Sequence, residues 1–262
     1  MLSVSSAQLD AWIAAFMFPL ARILGLIAAA PLLSNNVVPV RTKIVLAAAV
    51  TVALAPVLPP MPAVSPGSGV GLAILAQQAL IGLALGFVMR LVFAAVDVAG
   101  ELIGLQMSLS FATFYDPQSG GQTAVVAEFL GLLATLVFLA LNGHLLLFSM
   151  LARSFELVPV GAAHLPSTIW GSVARLGAML FSAGVLLALP VIAALLITNI
   201  ALGVLTRAAP QLNLFAVGFP VTLVVGFTML MLSLPYLAPS FERLFEQGYE
   251  AMGMLMQRTN PP

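Results

Sequence analysis

The chain has 262 residues, 61% of them hydrophobic and 7% charged, with zero formal net charge and no cysteine. Soluble domains carry roughly a quarter charged residues, so this composition cannot cover a surface in water and marks a multi-span membrane protein or a part of an assembly that hides apolar faces. The neutral balance leaves no basic patch for nucleic acid, and the absence of cysteine excludes a disulfide framework and a thiolate metal site.

Apolar segments recur at about 12–33, 44–62, 70–96, 124–151, 169–205 and 214–238. About 20 apolar residues cross a bilayer as a helix, so the hydropathy pattern predicts six spans. Ahead of the first, MLSVSSAQLDAW has no Lys or Arg, which argues against a cleaved signal peptide. Ser5 and Gln8 there read as a capping box opening a helix. The second segment carries Pro56, Pro59, Pro60 and Pro62, and the fifth is long enough for a bent helix or a tight hairpin. Prolines also interrupt good helical stretches at Pro19, Pro190, Pro220 and Pro235. Such breaks are tolerated where neighbouring helices satisfy the freed carbonyls. With no strand alternation, the fold expected is all-α: a polytopic membrane protein of helical hairpins with proline breaks.

Loop charges do not draw a simple serpentine. Arg41 and Lys43 in the first loop favour an outside N-terminus, yet Arg153, Arg243 and Arg258 then also fall outside. Gly82 with Gly86, and Gly100 with Gly104, have the four-residue spacing that lets helices approach closely. From Ser240 to Arg258 the pattern changes. Phe241, Leu244, Phe245, Tyr249, Met252, Leu255 and Met256 fall near one helical face, and Glu242, Glu246 and Glu250 line another. This amphipathic tail, 239–262, is acidic on its polar face, which favours a protein partner over anionic lipid.

Arg22, Arg90, Glu128 and Arg175 lie within or at the edges of apolar segments. A central arginine costs about 2.5–3.5 kcal/mol on insertion scales, so each needs a partner or a wet cavity. Arg90, Asp97 and Glu101 follow one helical stripe, with Arg90 and Asp97 roughly 10 Å apart along the axis. Two readings stand: a substrate or proton path, or pairing and assembly contacts. His144, beside Asn142, is a candidate relay by its near-neutral pKa, or a hydrogen-bonded helix-end residue. His164 carries no signal. No metal-hydrolase, serine-nucleophile or nucleotide-loop motif occurs, so neither catalysis nor a cofactor is expected.

The polar loop after the third segment has its own grammar. Met107, Phe111, Phe114 and Tyr115 supply bulk, Asp116-Pro117 starts a turn, and Gly120-Gly121 admits positive φ. Irregular backbone at membrane depth survives only where protein buries it or water lines it. The loop is therefore either a pore-facing plug or an inter-helix turn with its rings packed in the core.

Three blocks, in order, carry a resemblance. They are FPLARILGLIAAAPLLSNNVVPVRTKIVLA near the start, the central QMSLSFATFYDPQSGG with FLGLLATLVFLALNGH and SFELVPVG, and LPVIAALLITNIALGVLTRAAPQLNLFAVGFPVTLVVG from Leu189 to Gly226. Together they resemble the FliR family of type III export-gate proteins, over most of the chain. The resemblance implies a single-copy subunit joining FliP- and FliQ-like subunits in a closed helical gate. That gate stands beside FlhB- and FlhA-like proteins in the inner membrane, at the flagellar basal body, and passes unfolded flagellar proteins. It also implies one gate-subunit domain over 1–262, a plug from about Gln106 to Gln122, and bent hairpins packed on neighbouring subunits. Arg207, Pro210, Gln211 and Asn213 would then form a polar turn between two hairpin arms, and Arg22, Arg90, Asp97, Glu101, Glu128 and Arg207 would serve assembly. The closeness of the central block favours a flagellar over an injectisome gate. The rival expectation is a secondary transporter or channel for a small solute, which predicts an inverted repeat; none is visible.

Overall fold

The structure, a computed structural model, describes residues 6–35, 37–109, 124–161, 168–209 and 214–257. Every regular element among them is helical: α1 (Ser6–Ala29), α2 (Val40–Leu54) with a 3-10 turn (Ala55–Val57), α3 (Gly69–Gln106), α4 (Val125–Ala140), α5 (Gly143–Leu157), α6 (Thr168–Ala208) and α7 (Leu214–Gln257). Ser5 of the expected capping box lies outside the described residues.

Each of the six apolar segments contains helix, but they do not make six spans. Among the described residues four helices are long and apolar enough to cross a membrane: Gln8–Ala29, Gly69–Gln106, Ala174–Ala208 and Ala216–Gln257. A fifth is obtained if α4 and α5, broken at Asn142 in the left-handed conformation (φ 55, ψ 32), are taken together. The second segment falls short because α2 has 15 residues, about 22 Å of helix against a core of about 30 Å. Pro56 ends it, and the prolines that follow hold the chain out of helix. The fifth segment is one helix through Pro190, not a hairpin. The amphipathic tail is no separate element either: α7 runs on through Pro220, Pro235 and Pro239 to Gln257.

Side-chain hydroxyls inside these helices bond back to carbonyls one turn earlier. Thr228 Oγ1 donates to Val224 O at 2.7 Å and Ser233 Oγ to Met229 O at 2.7 Å. In lipid that is the way to keep a hydroxyl satisfied without a partner.

The chain falls into two compact units. The first comprises Met1–Leu91, Asn142–Leu176 and Phe245–Pro262. In it α1 and α3 meet backbone to backbone. A Cβ on Gly82 would come within 2.8 Å of Leu26 N, one on Gly86 within 2.7 Å of Leu26 O, and one on Gly25 within 2.9 Å of Leu83 N. Ala14, Phe18 and Ile74 form a core, with Met61, Val64, Leu75 and Val160 packed on it. The end of α7 is fastened to the start of α5 by Tyr249, whose hydroxyl donates to Gly143 O at 2.8 Å. Tyr249→Phe removes one hydrogen bond of about 1 kcal/mol. A loss of roughly 2–4 °C in melting temperature is expected in the purified complex, with assembly intact.

The second unit comprises Val92–Leu141 and Gly177–Leu244. Here a Cβ on Gly100 would meet Ala127 N at 2.6 Å and Ala127 Cβ at 2.8 Å, so α3 and α4 cross in close contact. Phe93 and Phe138 pack edge to face beside that crossing, centroids 5.6 Å apart. On α6, Leu186, Ile197 and Val204 are more than half exposed, and so are Val224, Met231 and Tyr236 on α7. The chain leaves these apolar surfaces for lipid or neighbouring proteins to cover.

Candidate functional site

Two constructions in the molecule position charge and chain where function is expected. The first is a junction around Arg22, inside the first unit. This guanidinium is 0% exposed, in the middle of α1. Its Nε–H donates to Gln78 Oε1 at 2.8 Å, and Nη2 donates to the same oxygen and to Val158 O at 2.8 Å. Nη1 donates to Ser154 O at 2.8 Å and to Ser154 Oγ at 3.0 Å, while the Ser154 hydroxyl donates onward to Leu151 O at 2.6 Å. The flat face of the guanidinium lies 4.0 Å from the centroid of the Phe155 ring. All of these acceptors are neutral.

The location explains the choice. Ser154 sits in the last turn of α5 and Val158 directly follows that helix, where carbonyls run short of intrahelical donors and the macrodipole is negative; Ser154 O also accepts from Val158 N at 2.9 Å. Arg22 thus caps α5 from α1 and ties both to α3 through Gln78. An ammonium could not do this, because one nitrogen cannot span three directions of approach. Arginine offers donors only, so Gln78 must turn Oε1 toward it, which leaves Gln78 Nε2 buried and unpartnered among the described residues. With its N–H groups engaged, Arg22 has none left to offer a substrate. It fastens three helices.

The second construction is the root of the polar loop, inside the second unit. Ser108 N donates to Leu105 O at 3.0 Å and Leu109 N to Gly104 O at 3.1 Å, with Ser108 at φ 63. This is a Schellman stop, built on a serine where glycine is usual, at a cost of roughly 1–2 kcal/mol. Met107, 0% exposed, is seated against Gly226 of α7. A Cβ there would lie 2.8 Å from the methionine sulfur. Met107 therefore anchors the end of α3. Phe111, Phe114, Tyr115, Asp116, Pro117, Gly120 and Gly121 lie outside the described residues, as do Pro210, Gln211, Asn213 and His164.

The remaining charges are placed simply. Glu128 is in the first turn of α4 and Arg207 in the last turn of α6, each at the helix end its sign complements. Arg90, Asp97, Glu101, Glu128 and Arg207 are all exposed. Asp97 Oδ1 borders α4 at Gly131, 3.5 Å from where a Cβ would stand. Arg175 bonds back to Gly171 O at 3.1 Å. His144 is half-buried, and its Nδ1 has no hydrogen-bond partner among the described residues. On the tail, Phe241, Phe245, Met252 and Met256 are buried within the chain itself. The apolar face expected to receive a protein partner is already covered; Glu242, Glu246 and Glu250 stay exposed.

Sequence reasoning does not single out Gln78, Ser154, Phe155, Val158 or Gly226, and it places Tyr249 on the tail's apolar face without its hydrogen bond. Only Gln78 carried a signal, as half of a Gln77-Gln78 pair inside an otherwise apolar helix.

Comparison with known proteins bears on this arrangement. Residues 13–248 match the family model described as bacterial export proteins, family 1. The chain is 47% identical to the flagellar biosynthetic protein FliR of Escherichia coli (strain K12) over 252 residues, covering 96% of each. It is 44% identical to the protein of that name in Pectobacterium carotovorum subsp. carotovorum over 256 residues, covering 98% of each. A more distant relative, the FliR protein of Bacillus subtilis (strain 168), is 34% identical over 184 residues, 69% of this chain and 71% of that one.

Proposed function

Because the chain belongs to the FliR family of bacterial export proteins, we propose that it forms part of the wall of the flagellar type III export gate and carries the gate's plug. As a membrane-integral component of the flagellar export apparatus it joins FliP- and FliQ-like subunits, beside FlhB- and FlhA-like proteins, in the inner membrane at the basal body. Unfolded flagellar proteins pass through the gate, driven by partner proteins and the proton motive force. The chain acts without catalysis or cofactor. Residues 1–262 work as one gate-subunit domain, since α3, α6 and α7 each run through both compact units.

The observation that carries this reading is the bare apolar surface of α6 and α7. Two helices of 41 and 44 residues exceed what a bilayer core needs, about 20. Neighbouring subunits cover what lipid does not. The plug assignment is supported by the chain's entry into the loop: Met107 is held by packing and Ser108 in a left-handed stop, so the segment that follows starts from a fixed point. Phe111, Phe114 and Tyr115 are the bulky rings that would fill the closed conduit, with Gly120 and Gly121 as the hinge.

Deleting Ser110–Gly121 tests it. Gate complexes carrying the deletion, reconstituted in planar bilayers, should conduct small ions where the intact complex is closed. Unchanged conductance would remove the plug from the account. Purification in mild detergent should recover the chain with two small hydrophobic partners, whereas a monodisperse monomer that binds a solute would favour the transporter.

A further inference from the structure

We propose that α2 is a lipid-binding element, whose exposed face lies in one leaflet and whose Arg41 end holds an anionic phospholipid headgroup. This is independent of the plug and rests only on the chain being membrane-integral. The helix packs on α1 with two buried residues, Ala47 and Thr51. Thr51 conceals its own hydroxyl on Ala47 O at 2.7 Å. On the outward side Arg41, Val45 and Val52 share one stripe by helical spacing, and Val45 is 68% exposed.

Three features select a lipid as the occupant. The first is length: about 22 Å of helix is too short to cross but fits within a leaflet when it lies obliquely. The second is chemistry. From Ile44 to Ala63 the one polar side chain is Thr51, so the outward face offers acyl chains contact and offers a protein no hydrogen bond.

The third is charge. Between Asp10 and Asp97 the sequence has no acid, while Arg41 and Lys43 stand at the start of α2. Lys43 Nζ uses one donor on Ser34 O at 3.0 Å, and Arg41 makes no side-chain hydrogen bond or ion pair among the described residues. A phosphate at the headgroup level supplies the missing negative charge next to an apolar face that fits its acyl chains.

The test uses the whole gate complex in membranes of phosphatidylethanolamine and phosphatidylglycerol, with a benzophenone photo-crosslinking residue in place of Val45. Mass analysis should identify phospholipid adducts enriched in phosphatidylglycerol over the bulk mixture. Arg41→Gln should cut that enrichment about fivefold, as expected from about 1 kcal/mol per basic residue at an anionic surface, while Arg41→Lys should keep it. A protein adduct at position 45, an adduct composition equal to the bulk, or indifference to Arg41→Gln would each overturn the proposal.

Discussion

Arg22→Met should prevent recovery of the assembled complex, or lower its melting temperature by far more than Tyr249→Phe does. The substitution keeps much of the apolar stem but removes every donor at the junction. Gln78 Oε1 and Val158 O are then left buried without their guanidinium donors, and Ser154 O keeps only Val158 N at 2.9 Å. Each orphaned buried acceptor costs about 1–3 kcal/mol, so the two together exceed what is regained by no longer burying a charge. Arg22→Lys is the sharper variant. It preserves the charge, yet its single nitrogen cannot reach Gln78 on α3 and the carbonyls after α5 together. It should therefore be no better than methionine, and raising or lowering salt should not rescue it, because the site is closed to solvent. Recovery of normal thermal stability by lysine would mean that the charge matters and the fork of donors does not.

The same junction marks how far sequence carries an argument of this kind. That a mid-helix arginine needs partners follows from the cost of burying it, and the structure supplies them. Their identity does not follow, because they lie 56, 132 and 136 positions away and two of them are backbone carbonyls, which every residue has. Helical class and the apolar segments were legible because lipid forces backbone groups to pair within the chain. Proline misled in one direction only. It ended α2, where four prolines cluster, but Pro19, Pro190, Pro220 and Pro235 sit inside continuous helices. Hydropathy cannot separate these cases, since a freed carbonyl is tolerated or not according to what packs beside it. The root of the loop was half legible. Met107 could be picked out as bulky, but its seat on Gly226 depends on a helix more than a hundred residues later. The tail's two faces are legible, but the protein partner expected on its apolar face turns out to be this chain itself, because periodicity reports an apolar face without saying who covers it.

Glycine spacing poses the second large effect, and the structure divides residues that the sequence treats alike. Gly100 and Gly104 lie one turn apart on α3, yet a methyl at Gly100 would meet Ala127 backbone while one at Gly104 would meet nothing within 4 Å. Replacing glycine by alanine in a helix gains about 1 kcal/mol from propensity alone. Forcing atoms into a packed contact costs about 1–3 kcal/mol, and here the obstructing atoms are backbone nitrogen and Cβ, which cannot swing aside. Gly100→Ala should therefore destabilise the complex and Gly104→Ala should leave it unchanged or slightly more stable. Gly82→Ala should match Gly100→Ala, since its methyl would press on the backbone of α1 at Leu26. Valine at positions 82 or 100 should abolish assembly and swimming in soft agar. Comparable melting temperatures for the alanine variants at 100 and 104 would show that α3 and α4 are not in backbone contact in the assembled gate, and that this crossing loosens when neighbouring subunits bind.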